Sequence, residues 1–200
     1  MHKLFVSEGV VLGKKGLGEA NTLVAILTRE LGLIKAVARS ARRENSKLRY
    51  SIEPLSQGTY SFIRGKHEWK LTGAERVSRD FVKTFSSHHK SSGNTQTAGR
   101  ITRLLMRLIH GEEKNEALYE TVAEGLSALA RASALGVQHE LIETVLVLRI
   151  ISHLGYLPHT PELQPFIEKD FFSLELQQEI LTSKALLTKA INESLSATGL

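Results

Sequence analysis

The sequence predicts an α+β chain in two domains, a five-stranded barrel followed by an all-helical domain. Three observations predict it. Apolar residues recur with period two up to about residue 77 and with helical period from Ala98 onward. The charge divides along the same line: residues 1–80 carry fifteen Lys and Arg against eight Asp and Glu, whereas the remainder is slightly acidic within a total of +5. Between the halves, residues 86–99 are rich in Ser, Thr, Gly and Asn, the composition of a connecting loop.

The strands come in order. Leu4-Phe5-Val6 and Val10-Val11-Leu12 read as a first strand bending at Gly9. Residues 23–28 form a second strand, apolar on both faces. Glu30-Leu31-Gly32 is a tight connection to a third strand over 33–39, in which Lys35, Val37 and Arg39 share one face. A polar stretch, 40–47, leads into a short helix over 46–51. Residues 55–64 and 68–77 make the last two strands, joined by the turn Gly65-Lys66-His67. Five short strands with a small helix between the third and fourth suit a partly open barrel of the oligonucleotide-binding (OB) type. The same pattern is compatible with a five-stranded sandwich or an SH3-like barrel.

Ile101, Leu104, Leu105, Leu108 and Ile109 make one helical stripe, and Leu118, Val122, Leu126, Leu129 and Ala130 another. Residues 141–151 are apolar nearly all round, as in the central helix of a bundle. Gly155 is placed to cap that helix and Pro158 forbids its continuation. Residues 174–195 add one or two amphipathic helices. The domain boundaries read from these patterns are 1–79 for the barrel, 80–99 for a mobile linker and 100–200 for the helical domain.

With 42% hydrophobic residues the chain can fill its cores. Its longest apolar run, 145–151, is broken by Arg149 and falls far short of the roughly 20 residues of a membrane span. The first residues lead into a strand pattern rather than a leader, and the expected location is the cytoplasm, at the nucleoid. The absence of cysteine excludes disulfides, thiolate metal sites and cysteine nucleophiles. Gly13-Lys14-Lys15-Gly16-Leu17-Gly18 lacks the spacing of a phosphate-binding or dinucleotide-binding loop. His88-His89 has no acid at ligand spacing. The sequence contains neither Gly-x-Ser-x-Gly nor His-Glu-x-x-His. The expectation is a protein that is not an enzyme and uses no cofactor.

The basic excess sits in Lys35, Arg39, Arg42, Arg43, Lys47 and Arg49, with Glu44 the only acid among them. Such a patch is the footprint of a polyanion, most often nucleic acid. Lys14 and Lys15 lie between Gly13 and Gly16, read as the loop after the first strand. The candidate phosphate-binding residues are therefore Lys14, Lys15, Arg39, Arg42, Arg43, Lys47 and Arg49. Trp69 and Phe62 read as core, whereas Tyr50 and Tyr60 are open between core and base stacking. Arg100, Arg103 and Arg107 share a helical face beside an apolar stripe and are candidates for a partner surface. Arg149, inside the most apolar helix, reads as a partner-facing charge or, in preference, as an internal ion pair with Glu143 or another carboxylate. A DNA ligand, an RNA ligand and an acidic protein partner all suit the charge.

Several strings resemble the RecO family of bacterial recombination mediators. They are Glu8-Gly9-Val10-Val11-Leu12, Gly18-Glu19-Ala20, Leu27-Thr28-Arg29-Glu30-Leu31-Gly32, Ala41-Arg42-Arg43, Ser46-Lys47-Leu48 and Glu53-Pro54-Leu55, in the family's order. Leu154-Gly155-Tyr156-Leu157-Pro158 is similar to the family's Gly-Tyr-x-Pro turn. The resemblance implies an OB domain followed by a helical domain, binding of single- and double-stranded DNA, strand annealing and loading of recombinase. It also implies two partners, the acidic tail of single-strand-binding protein, bound in the helical domain, and a RecR-type protein. Many members carry a four-cysteine zinc site soon after that turn. Here the stretch runs His159-Thr160-Pro161-Glu162-Leu163-Gln164, so no zinc is expected, and His153 and His159 alone fall short of a four-ligand site. The tail is also short against the family, and a reduced helical domain is expected.

Overall fold

The structure is a computed structural model that describes residues 3–76, 93–132, 134, 136–171 and 173–199. It divides into two compact units, Met1–Lys90 with Ile109–Tyr119, and Ser91–Leu108 with Glu120–Leu200. The proposed linker lies outside the described residues over 80–92, as does the His88-His89 pair.

The first unit is a closed five-stranded barrel in the order β1-β2-β3-β5-β4, which is OB topology. Its strands are β1 (Leu4–Leu17), β2 (Asn21–Thr28), β3 (Gly32–Ala38), β4 (Gln57–Arg64) and β5 (Trp69–Arg76). All neighbours are antiparallel except β3 and β5, which run parallel over Ala36–Ala38. Inward residues Val11, Val24, Ile26, Ile34, Ala36, Tyr60, Phe62, Trp69 and Leu71 fill the barrel. Each large side chain buried there contributes roughly 1.5–3 kcal/mol.

β1 is one long strand that serves two neighbours. Its first half pairs with β4 and its second with β2, and Gly9 and Val10 pair with both. The expected bend at Gly9 is instead an irregularity between Val11 and Gly13. Gly9 is required for a different reason: a Cβ there would sit 2.7 Å from Ile26 Cγ2 and 3.1 Å from Tyr60 Cδ2. At Gly9 the wall strand β1 lies so close to the Ile26 and Tyr60 side chains that only a hydrogen atom fits.

The helix expected over 46–51 is absent. Residues 39–56 are a chain of turns, with Ser46 N–H donating to Arg43 O, Arg49 N–H to Ser46 O and Ser51 N–H to Leu48 O. Only Ile52 N–H reaches back four residues, to Leu48 O at 3.2 Å. So short a segment cannot recover the cost of helix nucleation. Packing holds it instead: Leu48 and Ile52 close the barrel end, and Tyr60 donates its hydroxyl to Ser51 O and Ser56 O at 3.1 and 3.2 Å. Burial pushes the Tyr60 phenol far above its ordinary pKa, so it remains a donor.

The second unit is helical. Its elements are α1 (Gly93–Leu108), α2 (Glu116–Ala132, from Glu120 onward), α3 (His139–His153), α4 (Gln164–Glu168) and α5 (Leu174–Ala197). α1 begins at Gly93, within the stretch read as linker, because Asn94 is drawn inward and donates its amide to Leu129 O at 2.9 Å. α3 is buried nearly all round and packs on α1, α4 and α5. It stops at Gly155, whose φ of 77° is left-handed. Gly155 N–H donates to Ser152 O and Tyr156 N–H to Ile151 O, both at 2.9 Å, which closes the helix end. α5 is a single helix. No helix among the described residues is long and apolar enough to cross a membrane.

Candidate nucleic-acid interface

Lys14 and Lys15 lie within β1, not in a loop after it, and their side chains go to opposite faces. Lys15 is in register with Leu23 and, through it, with Val37 on the outer face. Lys14 is in register with Val24 and Ala36, whose side chains are inside the barrel. At the barrel end it reaches Glu53, with Nζ 2.7 Å from Oε1. Its charge is already answered within the protein.

The outer face carries more. Lys35 pairs in register with Ala25, and Lys35, Val37 and Arg39 alternate outward along the third strand and its continuation. Two strand spacings and two residue steps put the Lys15 and Lys35 Cα atoms about 12 Å apart. Lys35 is not among the candidates read from sequence, although its alternation with Arg39 is visible there. Only the β1–β2–β3 pairing sets it beside Lys15.

The turn segment supplies the rest. Arg42 is anchored: its backbone N–H donates to Ala20 O at 3.0 Å and its guanidinium to Gly18 O at 2.8 Å. It fastens the segment to the β1–β2 hairpin and keeps part of its charge exposed. Arg43, Lys47 and Arg49 are exposed, and the Arg49 guanidinium lies 5.9 Å from the Tyr50 ring centroid. Among the described residues, Lys15, Lys35, Arg39, Arg43 and Lys47 have no acidic partner. Of the barrel aromatics, Tyr60, Phe62 and Trp69 are core. The Trp69 indole N–H donates to Glu112 of the same unit at 2.7 Å, so its edge is occupied too.

The second unit treats its arginines unequally. Arg100 donates to both Glu143 oxygens, at 2.7 and 2.6 Å, and to Thr97. This bidentate pair raises the Arg100 pKa and ties Arg100 to Glu143, and Arg100, Arg103 and Arg107 are all exposed. Arg149 has no pair with Glu143. It donates to Phe166 O at 2.9 Å and to Lys169 O, with its guanidinium 4.3 Å from the Phe171 ring centroid. Burial lowers its pKa, partly offset by the charges of Glu124 and Asp170, and two backbone carbonyls accept its hydrogen bonds. His153 shares a hydrogen bond with Thr121. No group of three or more metal-ligating side chains occurs among the described residues.

A closed barrel of this strand order, with cations gathered on one outer face and the adjoining turns, defines an OB-fold protein. Residues 1–78 match the family described as "Recombination protein O N terminal". The chain is similar to "DNA repair protein RecO" of Caldanaerobacter subterraneus subsp. tengcongensis, 26% identical over 76% of this chain and 58% of that one. The proteins of that name from Nostoc punctiforme and Synechococcus sp. (strain JA-2-3B'a(2-13)) are 29% and 30% identical. Those matches cover 82% and 63% of this chain, and 52% and 46% of the relatives. The chain is similar to RecO proteins, and its first 78 residues to their N-terminal domain. It spans about half the length of the curated relatives it matches.

Proposed function

We propose that the chain is a DNA repair mediator that binds single- and double-stranded DNA and anneals complementary strands without catalysis. The observation that carries this reading is the set of exposed, acid-free cations, Lys15, Lys35, Arg39, Arg43 and Lys47, on the barrel of a chain similar to RecO proteins. Arg42 and Arg49 add charge beside them. Two strands repel through their phosphates, and a surface that neutralises phosphates on both lowers that barrier while releasing condensed counterions. Annealing needs no base-specific contacts, and fixed cations without a base-reading helix suit it.

The helical unit docks protein partners in this reading. Those partners are the tail of single-strand-binding protein and a RecR-type protein, through which recombinase is loaded in the cytoplasm at the nucleoid. Arg103 and Arg107 are the exposed cations offered to an acidic tail.

The test is binding of a fluorescent single strand across a salt series, followed by annealing of two complementary strands. The expected result is a steep fall of affinity with salt and faster annealing with protein than without. No binding at low salt would overturn the reading in favour of an acidic protein partner. Tighter binding of structured RNA than of single-stranded DNA would overturn it in favour of an RNA-binding role.

A further inference from the structure

We propose that Tyr50 is a base-stacking residue, so that this interface grips single strands by a base as well as by phosphates and thereby prefers them to duplex. The inference rests on the nucleic-acid reading of the preceding section.

Five aromatic residues belong to the barrel and its turns, and four are committed elsewhere. Phe62 and Tyr60 are fully buried, and the Tyr60 hydroxyl is spent on two carbonyls. Trp69 is buried and hydrogen-bonded to Glu112. Phe5 sits edge-on to Trp69 with centroids 5.1 Å apart. Tyr50 alone among them turns its ring to solvent, at 64% exposure.

That exposure does not come from a loose backbone. Leu48 and Ile52, two residues to either side, pack into the barrel end. Ser51 O, the next carbonyl, accepts the Tyr60 hydroxyl. Glu53 is tied to Lys14 at 2.7 Å. A backbone held on both sides presents this ring to water, so little backbone ordering entropy remains to be lost when a ligand stacks on it.

The surroundings are those of a strand. Arg49 lies 5.9 Å from the ring centroid, where its guanidinium is positioned for a phosphate or for the second face of a base. Arg43 and Lys47 lie on the same chain of turns. Every base has a π-face, so one ring among cations adds affinity without sequence preference. Duplex bases are already stacked and paired, and offering one to Tyr50 requires flipping it at a cost of a few kcal/mol. The ring therefore discriminates by strandedness.

The test compares wild type, Tyr50→Ala and Tyr50→Trp on three probes: a single-stranded oligonucleotide, the same length of abasic sugar-phosphate strand, and a duplex. Tyr50→Ala should weaken the intact single strand about 5- to 150-fold, the span of one stacking contact, and leave the other two within about twofold. The salt slope should be unchanged, because a neutral ring releases no counterion. Tyr50→Trp should keep or raise the affinity. Equal losses on intact and abasic strands, or no loss on either, would overturn the inference while leaving the phosphate reading intact. Failure of the wild type to bind any probe would overturn both.

Discussion

Replacing Lys15, Lys35 and Arg39 together by Ala strips the outer face of β1 and β3 of charge. All three side chains are exposed and the register places them on the side away from the core. Each substitution should therefore move stability by no more than about 0.5 kcal/mol. The effect on binding is much larger. Each phosphate contact on a single strand contributes about 0.7 to the slope of log affinity against log salt, so losing three lowers it by about 2. If Lys15, Lys35, Arg39, Arg43, Lys47 and Arg49 all contact phosphate, the wild type loses roughly 300-fold in affinity as salt rises fourfold, and the triple variant only about 20-fold. Fluorescence anisotropy with a labelled strand longer than about 16 nucleotides, enough to cover one OB fold, gives both slopes. Lys14→Ala serves as the comparison. Its amine already pairs with Glu53, so it should change the slope by less than about 0.7. A triple variant that keeps the full slope would refute the placement of DNA on this face. A Lys14→Ala effect as large as that of Arg43→Ala would refute the distinction between the two sides of β1.

Arg149→Met leaves Phe166 O and Lys169 O without their buried donor, at about 1–3 kcal/mol each, partly offset because the guanidinium no longer has to be buried. A lowered urea midpoint checks it, and an unchanged one would contradict the assignment. Gly58→Ala places a Cβ 2.2 Å from Glu75 O and should cost at least about 1–3 kcal/mol, whereas Gly99→Ala, in open space on α1, should add about 1 kcal/mol. Paired thermal melts would show opposite shifts. Burial and the nearby Arg149 charge hold His153 below its ordinary pKa. The unfolded chain therefore takes up the proton first as pH falls below about 6.5, and stability declines from there toward the folded pKa. His153→Asn should flatten that decline in denaturant titrations at stepped pH. An equally steep decline in the variant would assign it to other groups.

The local patterns are strong enough to be read without a structure. Alternation in 57–64 and 69–76 with Gly65-Lys66-His67 between them specifies a hairpin, because period two leaves no other way to bury Phe62, Trp69 and Leu71 together. The stripe Ile101, Leu105 and Leu108 specifies the buried face of α1. Gly155 ends α3 because a left-handed residue there costs glycine nothing. The division of charge between the halves is visible in composition alone. So is the resemblance to RecO proteins, since its ordered strings are local.

Other features depend on pairing and packing between distant residues. One irregularity after Val11 decides that Lys15 faces outward with Val37 and that Lys14 turns to Glu53; a slip of one residue would exchange their roles. The β2–β3 pairing brings Lys35 to the Lys15 face, a proximity that no spacing along the chain encodes. Tyr50 and Tyr60 are equivalent as sequence. Only the closure of the barrel over Tyr60 leaves Tyr50 as the exposed ring. Residues 109–119 join the barrel unit although they follow α1, with Glu112 bonded to Trp69 and Glu116 to Arg29 at 2.7 Å. Those bonds span 43 and 87 positions of chain. Local periodicity dictates which elements form and which side of each is apolar. Which charges remain free to meet a polyanion is decided by long-range pairing, because each acid that reaches a cation removes it from the surface that DNA would see.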